Sequence, residues 1–263
     1  MKALLNYSGA KWKLAEEIVG LMPPHRSYLE PFFGSGAVLF TKPPTPIETV
    51  NDIDEEVVNF FWALREMPER LADMIDNTPY SRAVYDDACR RRGRSRLERA
   101  YLFCIRSRMA WGFKTYTKTG FKIDIAGREA AYALGNWNAT PELLRKYARR
   151  LKAVQIENLP ALDLIGRFNR REVLIYADPP YLLATRGGKQ YRHEMSDRDH
   201  AELLEALKAH KGPVILSGYD SPLYREVLAG WEIVRWTAYT QSAKRREEMI
   251  WCNFEVPRQE RLF

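Results

Sequence analysis

An apolar run, Val173-Leu174-Ile175-Tyr176-Ala177, ends in Asp178-Pro179-Pro180-Tyr181. The run reads as a buried parallel strand. It therefore delivers a carboxylate, two rigid prolines and an aromatic ring to the edge where open α/β sheets take their ligands. Proline has no backbone N–H, so carbonyls here can point outward without strand partners. A carboxylate beside such a carbonyl is an all-acceptor site suited to an exocyclic amino group, and the tyrosine offers a face to a planar base. The combination points to a transferase acting on a nucleobase amine. The competing reading is an Asp-Pro turn that merely ends a strand.

Two further groups fall at strand ends. Ser27-Tyr28-Leu29 reads as a short strand entering Glu30-Pro31-Phe32-Phe33-Gly34-Ser35-Gly36, followed by helical Ala37-Val38-Leu39-Phe40. A glycine turn of this kind lets a ligand approach the backbone at a helix N-terminus. Ile47–Val50 is a second strand ending at Asp52, where an acidic residue accepts hydrogen bonds from ribose hydroxyls; a helix cap is the alternative. The lack of a third phosphate-cradling glycine speaks against a pyrophosphate ligand. A nucleoside without phosphate, carrying a sulfonium and an amino-acid tail, fits better, and S-adenosyl-L-methionine is such a molecule.

The chain has 263 residues, 46% of them hydrophobic, enough for one large domain or a domain with an insert. No apolar stretch reaches bilayer length and no signal peptide is evident, so a soluble, cytoplasmic protein is expected. Cys89, Cys104 and Cys252 are widely spaced and read as packing residues, with no metal site expected. Lys and Arg number 41 against 34 Asp and Glu, a net charge of +7. Residues 77–152 alone carry 18 basic and 6 acidic residues, so the flanks are net acidic. A central block of one sign points to a polyanion partner, DNA or RNA before membrane.

The supporting elements follow from periodicity. A helix is expected over 10–21, a helix from Asp54 to Arg65, and basic helices over 68–76, 80–92 and 95–109. Residues 111–125 read as a β-hairpin turning at Lys118-Thr119-Gly120. Thr140 is expected to cap a helix with Pro141 in its first turn. A strand over 154–156, a helix over 161–168, a helix over 197–210 capped by Ser196 or Asp197, a strand over 214–216, a helix from Ser221, and an antiparallel pair over 231–237 and 249–254 complete the pattern. Strand–helix alternation implies a mostly parallel α/β sheet.

Taken in order, Asn6-Tyr7-Ser8-Gly9-Ala10-Lys11, Glu30–Gly36, Asn51-Asp52-Ile53-Asp54 and Asp178–Tyr181 resemble the Dam-type S-adenosylmethionine-dependent DNA adenine-N6 methyltransferases. Tyr191–Met195, Asp199-His200, Leu216–Tyr219, Arg246, Glu248 and Asn253 resemble a subgroup common in phages and mobile elements. The resemblance covers nearly the whole chain and is weakest across 66–150. It implies a Rossmann-like methyltransferase sheet, mostly parallel with an antiparallel edge strand. The catalytic domain would comprise 1–66 and 153–263. The inserted 67–152 would be a mainly helical, basic target-recognition domain carrying a β-hairpin.

It also implies roles. Tyr7 and Lys11 contact the cofactor, with tyrosine standing where the family often has tryptophan. Pro31, Phe32 and Gly34 line its methionine or adenosyl side, Asp52 holds its ribose, and Asp178 lies between cofactor and target base. Asn158 is a candidate partner for the cofactor's adenine edge, with a helix cap as the alternative. Asp178 and the Pro179 carbonyl would polarise adenine N6, with Pro180 completing the turn and Tyr181 stacking on a flipped base. Phosphate contacts are assigned to Arg90, Arg91, Arg92, Arg94 and Arg96, and base reading to Arg108, Lys114, Tyr116, Lys118 and Thr119. Trp111, Phe113 and Phe121 are equally readable as core of the insert. Leu183–Met195 reads as a loop that orders over the base, with His193 and His200 beside it. The partner that the resemblance implies is duplex DNA, and no obligate protein partner is evident. The alternatives are an RNA adenine-N6 methyltransferase, a cytosine-N4 enzyme, against which Asp178 speaks, and a non-catalytic DNA-binding module on the same fold.

Overall fold

The computed structural model describes residues 2–125, 132–186, 188–239 and 245–256. In chain order the elements are α1 (Ala15–Gly20), β1 (Ser27–Glu30), α2 (Ala37–Thr41), β2 (Ile47–Asn51), α3 (Glu55–Glu66), α4 (Pro68–Asp76), α5 (Arg82–Arg90), α6 (Arg96–Met109), β3 (Ala110–Trp111), β4 (Gly120–Phe121), α7 (Tyr132–Asn138), α8 (Thr140–Leu151), β5 (Gln155–Glu157), α9 (Ala161–Arg167), β6 (Val173–Ala177), α10 (Asp197–Lys208), β7 (Val214–Gly218), α11 (Pro222–Val227), β8 (Glu232–Tyr239) and β9 (Arg245–Cys252).

Seven strands form one sheet in the order β5-β2-β1-β6-β7-β9-β8. The first five neighbours run parallel, and β9 lies antiparallel between β7 and β8. The antiparallel member is thus one place in from the edge, and β8, the edge strand, points with the others. The chain winds outward from β1 to β2 and β5, then returns to β6 on the other side of β1. That reversal leaves a crevice beyond the C-terminal ends of β1 and β6, where doubly wound sheets bind ligands.

Period-two alternation divides the core. Leu174 and Tyr176 of β6 join a cluster with Ile18, Val38, Phe60 and Phe61 from α1, α2 and α3. Val173, Ile175 and Ala177 face the opposite side, against Leu164 of α9 and Leu203, Leu204 and Leu207 of α10. A strand buried on both faces needs the unbroken apolar run seen in the sequence.

The basic helical block shares the first cluster: Leu71, Ile75, Leu102, Phe103, Leu144 and Tyr147 pack with the α3 side chains. It also clamps the N-terminal segment. The Asn6 amide donates to Ser107 Oγ at 2.9 Å, and that hydroxyl donates back to the Asn6 carbonyl at 3.0 Å. Tyr147 Oη donates to the Lys2 carbonyl at 2.6 Å.

Several elements differ from expectation. The first helix starts only at Ala15, with a turn over 12–14 before it. The hairpin is two residues per strand, and Gly120 pairs with Trp111 instead of forming the turn. Trp111 and Phe113 are exposed, whereas Phe121 packs on Tyr80 and Tyr85. Thr140 is the first residue of α8 and not its cap. Its hydroxyl donates to the Asn136 carbonyl and accepts from Arg108 Nε. Ser196 does cap α10, in a reciprocal box with Asp199. Among the described residues, no helix is long and apolar enough to cross a membrane.

Candidate active site

At the end of β1 the chain turns sharply. Gly34 has φ +49°, and its N–H donates to Asp52 Oδ2 at 2.8 Å. Asp52 Oδ1 accepts the Asp54 amide at 2.9 Å, so one carboxylate at the end of β2 fixes two turns. Burial raises the Asp52 carboxyl from 3.8 to about 6, against the pull of the Asp54 and Gly34 amides. A Cβ on Gly34 would stand 3.2 Å from Tyr7 Cε1, so the glycine is what lets the Tyr7 ring lie against the turn. Asn51, to which the sequence reading gave no role, ties three strand ends together. Its Nδ2 donates to the Pro31 and Leu159 carbonyls, and its Oδ1 accepts the Leu159 amide at 2.8 Å.

Tyr7, Lys11, Pro31, Phe32, Gly34, Asp52, Asp178 and Pro180 line one cavity of about 390 Å³. Asn158 is not part of that lining. Its Nδ2 donates to the Asp52 carbonyl at 2.7 Å, and α9 has Pro160 as its cap, so neither reading of Asn158 describes its position. Pro160, Ala161 and Leu162 line the cavity at that side instead.

Asp178 lies at the end of β6 with Lys11 Nζ 3.0 Å from its Oδ1. The ammonium also donates to the Gly9 carbonyl at 2.9 Å, lies 3.9 Å from Glu248 Oε2 and sits 4.8 Å from the centroid of the Tyr181 ring. Burial by itself would lower the Lys11 pKa, but Asp178 and Glu248 more than offset it and hold the ammonium firmly charged. Burial raises the Asp178 carboxyl to about 6; Lys11 opposes that rise and Glu248 adds to it. Next to them Glu30, buried at the end of β1, accepts Tyr28 Oη at 2.7 Å and is pushed by burial up to about 8. It is a neutral acid at pH 7.

Tyr181 is enclosed. Its hydroxyl donates to Glu248 Oε2 at 2.7 Å, and its ring meets Tyr219 edge-on at 4.5 Å between centroids. Only 8% of the residue is exposed. A base can reach this ring only after Tyr219 or Lys11 moves aside, which differs from an open stacking platform. Pro179 is buried as well.

Residues 191–195, Tyr191, Arg192, His193, Glu194 and Met195, form one wall of the cavity. Glu194 pairs with Arg186 and accepts the Gln190 and Tyr191 amides, while Arg186 Nε donates to the Tyr181 carbonyl at 2.6 Å. Tyr191 comes to rest on Gly9, where an added Cβ would stand 2.2 Å from its hydroxyl. Arg192 Nε lies 3.6 Å from Asp54. Ser8 Oγ faces two carbonyls, Gln190 just before this wall at 3.3 Å and Phe113 of the β3–β4 loop at 3.4 Å. His200 is buried with its Nδ1 3.0 Å from Tyr224 Oη, and burial lowers its pKa, consistent with a packing role.

The basic residues divide. Arg90, Arg92 and Arg94 are exposed and enter no ion pair among the described residues. Arg91 pairs with Asp87 and Glu98, Arg96 lies over the Trp62 ring at 4.4 Å, and Lys118 pairs with Asp86 at 2.7 Å. Thr119 donates its amide to Tyr85 Oη; Lys114 and Tyr116 are half-buried in the β3–β4 loop. Arg108 does not take the base-reading position expected of it. It is buried in the last turn of α6, and its guanidinium donates to Thr140 Oγ1, the Ala3 carbonyl and the Asn136 carbonyl. A side chain spent on holding three segments together reads no base.

A doubly wound sheet whose switch-point crevice joins a glycine turn, a strand-end aspartate and an acceptor turn is the framework of a methyltransferase. The D12 class N6 adenine-specific DNA methyltransferase family matches residues 7–242, and the chain belongs to that family. It is similar to the Type II methyltransferase M1.LlaDCHI of Lactococcus lactis subsp. cremoris, at 26% identity over 256 residues, covering 89% of this chain and 86% of that protein. The DNA adenine methylase of Salmonella typhi is 24% identical over 244 residues, covering 86% and 83% of the two chains. The DNA N-6-adenine-methyltransferase of Escherichia phage P1 is 25% identical over 251 residues, which is 86% of this chain and 31% of the phage protein. Family membership makes this chain an adenine-specific DNA methyltransferase, with DNA as substrate and a methyl donor as co-substrate.

Proposed function

We propose that the methyl donor is S-adenosyl-L-methionine and that the target adenine is flipped out of duplex DNA into the crevice at Asp178. The observation that carries this is the opening of the β1, β2 and β6 ends into a single cavity, which brings Asp52 and Asp178 to one wall system. The lining fits the donor. Asp52 and Asp54 would repel a pyrophosphate but accept ribose hydroxyls, Pro31 and Phe32 offer apolar walls to an adenosyl group, and the carboxylates suit a cationic sulfonium. When bound, the donor supplies an electrophilic methyl group on a good leaving group.

The chain supplies position and acceptors. Adenine N6 is a weak nucleophile because its lone pair is delocalised into the ring. Asp178 Oδ2 and the turn carbonyls accept its N–H bonds, which polarises the amine and orients it in line. The Asp178 carboxylate takes the proton that N6 sheds, and with a pKa of about 6 it returns that proton to water at neutral pH. Residues 191–195, on the wall of the cavity, shield the reacting atoms from water. Flipping is required because N6 is hydrogen-bonded inside a duplex.

Target recognition falls to the 67–152 block, with Arg90, Arg92 and Arg94 for phosphates and the β3–β4 hairpin, whose Trp111 and Phe113 are exposed, for bases. The test is methyl transfer from labelled S-adenosylmethionine to duplex DNA and to structured RNA, with the product base identified. N6-methyladenine in duplex DNA, lost in Asp178→Ala while donor binding persists, is the expected result. Preferential labelling of RNA, or full turnover by the variant, would refute the proposal.

A further inference from the structure

Glu248 reaches the site from β9, opposite Trp236 of β8 and immediately before the fully buried Met249, Ile250 and Trp251. Its carboxylate is mostly removed from water, which is costly for a charge unless partners repay it. The partners are Tyr181, whose hydroxyl donates to Oε2 at 2.7 Å, and Lys11, whose ammonium lies 3.9 Å from the same oxygen. Lys11 lines the crevice, and Tyr181 packs against its ammonium, outside the lining. An ammonium has three donors. One goes to the Gly9 carbonyl at 2.9 Å and one to Asp178 Oδ1 at 3.0 Å, while Glu248, at 3.9 Å, shares the charge as an ion-pair partner beyond hydrogen-bond distance.

We infer that Glu248 is a positioning residue for methyl transfer: it anchors the Tyr181 ring and shares the Lys11 charge, so that Asp178 keeps acceptor capacity for the target amine. This rests on the proposed role of Asp178. Without Glu248, Lys11 is neutralised by Asp178 alone and the catalytic carboxylate is committed to an ion pair. The ring would also lose the contact that fixes its tilt against Tyr219.

The groups facing Asp178 define what a charge change at Glu248 does. Lys11 comes from the N-terminal segment, Glu30 from β1, Tyr176 from β6, Tyr181 from the turn itself, Tyr191 from the 191–195 wall and Tyr224 from α11. Glu30 and the tyrosines are neutral at pH 7, so Lys11 and Glu248 are the two opposing charges. Glu248 raises the Asp178 pKa and Lys11 lowers it. Removing the Glu248 charge therefore moves the acid limb of activity to lower pH.

The experiment is single-turnover methylation of duplex DNA from S-adenosylmethionine between about pH 5 and pH 9, with donor Kd measured in parallel. Glu248→Gln should shift the acid limb downward by about half to one pH unit. Tyr181→Phe keeps the Glu248 charge but removes a hydroxyl that itself lowers the Asp178 pKa, so it should slow the reaction and move that limb upward, the opposite direction. Glu248→Ala should lose about ten- to hundred-fold in rate with donor Kd within about two-fold. An unmoved acid limb in Glu248→Gln, or donor affinity falling in step with rate, overturns the inference. Should the alanine variant not fold, the glutamine pH profile decides alone. If the wild-type enzyme makes no N6-methyladenine, the parent reading fails and takes this one with it.

Discussion

Lys11 Nζ and Asp178 Oδ1 stand 3.0 Å apart at the meeting point of the N-terminal segment and β6. The pair keeps a buried carboxylate ionisable near neutrality, since burial alone would push its pKa further up. In the proposed mechanism the ionised form accepts the amine, so the rate should fall about ten-fold per pH unit below pH 6. Asp178→Asn removes the proton acceptor and should cost at least about 100-fold in single-turnover rate. A pH–rate profile with no acid limb near 6 would count against this assignment.

Glu30 gives a stability signature of its own. Its carboxyl titrates near 4.5 when unfolded and at about 8 when folded, so the native state binds the extra proton between those values. Stability should therefore fall as pH rises from about 4.5 to 8 and level off beyond. Glu30→Gln, neutral throughout, should flatten that part of the curve. Urea titrations at several pH values measure the slope, and an unchanged slope in the variant would exclude Glu30 as its source.

Gly36 precedes α2 at φ +71°, and a Cβ there would stand 2.6 Å from Phe33 Cζ and from Phe40 Cε2. Backbone strain and displaced rings together should make Gly36→Ala about 2–4 kcal/mol less stable. Calorimetry or urea melts should report this loss, and a neutral outcome would mean that the turn relaxes freely.

Arginine substitutions should separate binding from folding. Arg92→Ala or Arg94→Ala should reduce the slope of log Kd for DNA against log salt by about 1 each without altering melting. Arg108→Ala should leave that slope unchanged and cost about 2–4 kcal/mol, because two carbonyls and a hydroxyl lose their buried partner. A change in site preference with unaltered stability would return Arg108 to the DNA interface.

What was legible in the sequence has a physical pattern. β6, buried on both faces, is an unbroken apolar run, and Asp178 follows from its end. β1 and β2 instead carry buried Glu30, Glu48 and Thr49, so Gly34 and Asp52 are legible from the glycine turn and the strand–helix alternation. The short sheet pair β3–β4 was placed, but its turn was not, because Gly120 serves pairing with Trp111 instead of a tight bend. Side chains that act across the chain were not legible. Arg108 sat in an arginine-rich stretch and looked like its neighbours, yet only it faces the Ala3 carbonyl. Asn158 stood at a strand end like Asp52, but its amide was turned back onto the Asp52 carbonyl. Glu248 carried a signal, a carboxylate abutting Met249-Ile250-Trp251-Cys252, though nothing local named Tyr181 as its partner.

Ser8 carries a single hydroxyl proton between the Gln190 and Phe113 carbonyls. It cannot serve both fully, so residues 188–195 beside the cavity and the β3–β4 loop, the proposed base-reading segment, compete for it. If DNA draws the loop away, the proton is released to the Gln190 carbonyl, and the wall beside the donor is held more firmly as the target is engaged. Linkage then obliges the donor to strengthen DNA binding by the same factor. In Ser8→Ala that mutual factor should shrink towards one, as donor titrations with and without duplex would record; an undiminished factor would place the communication elsewhere.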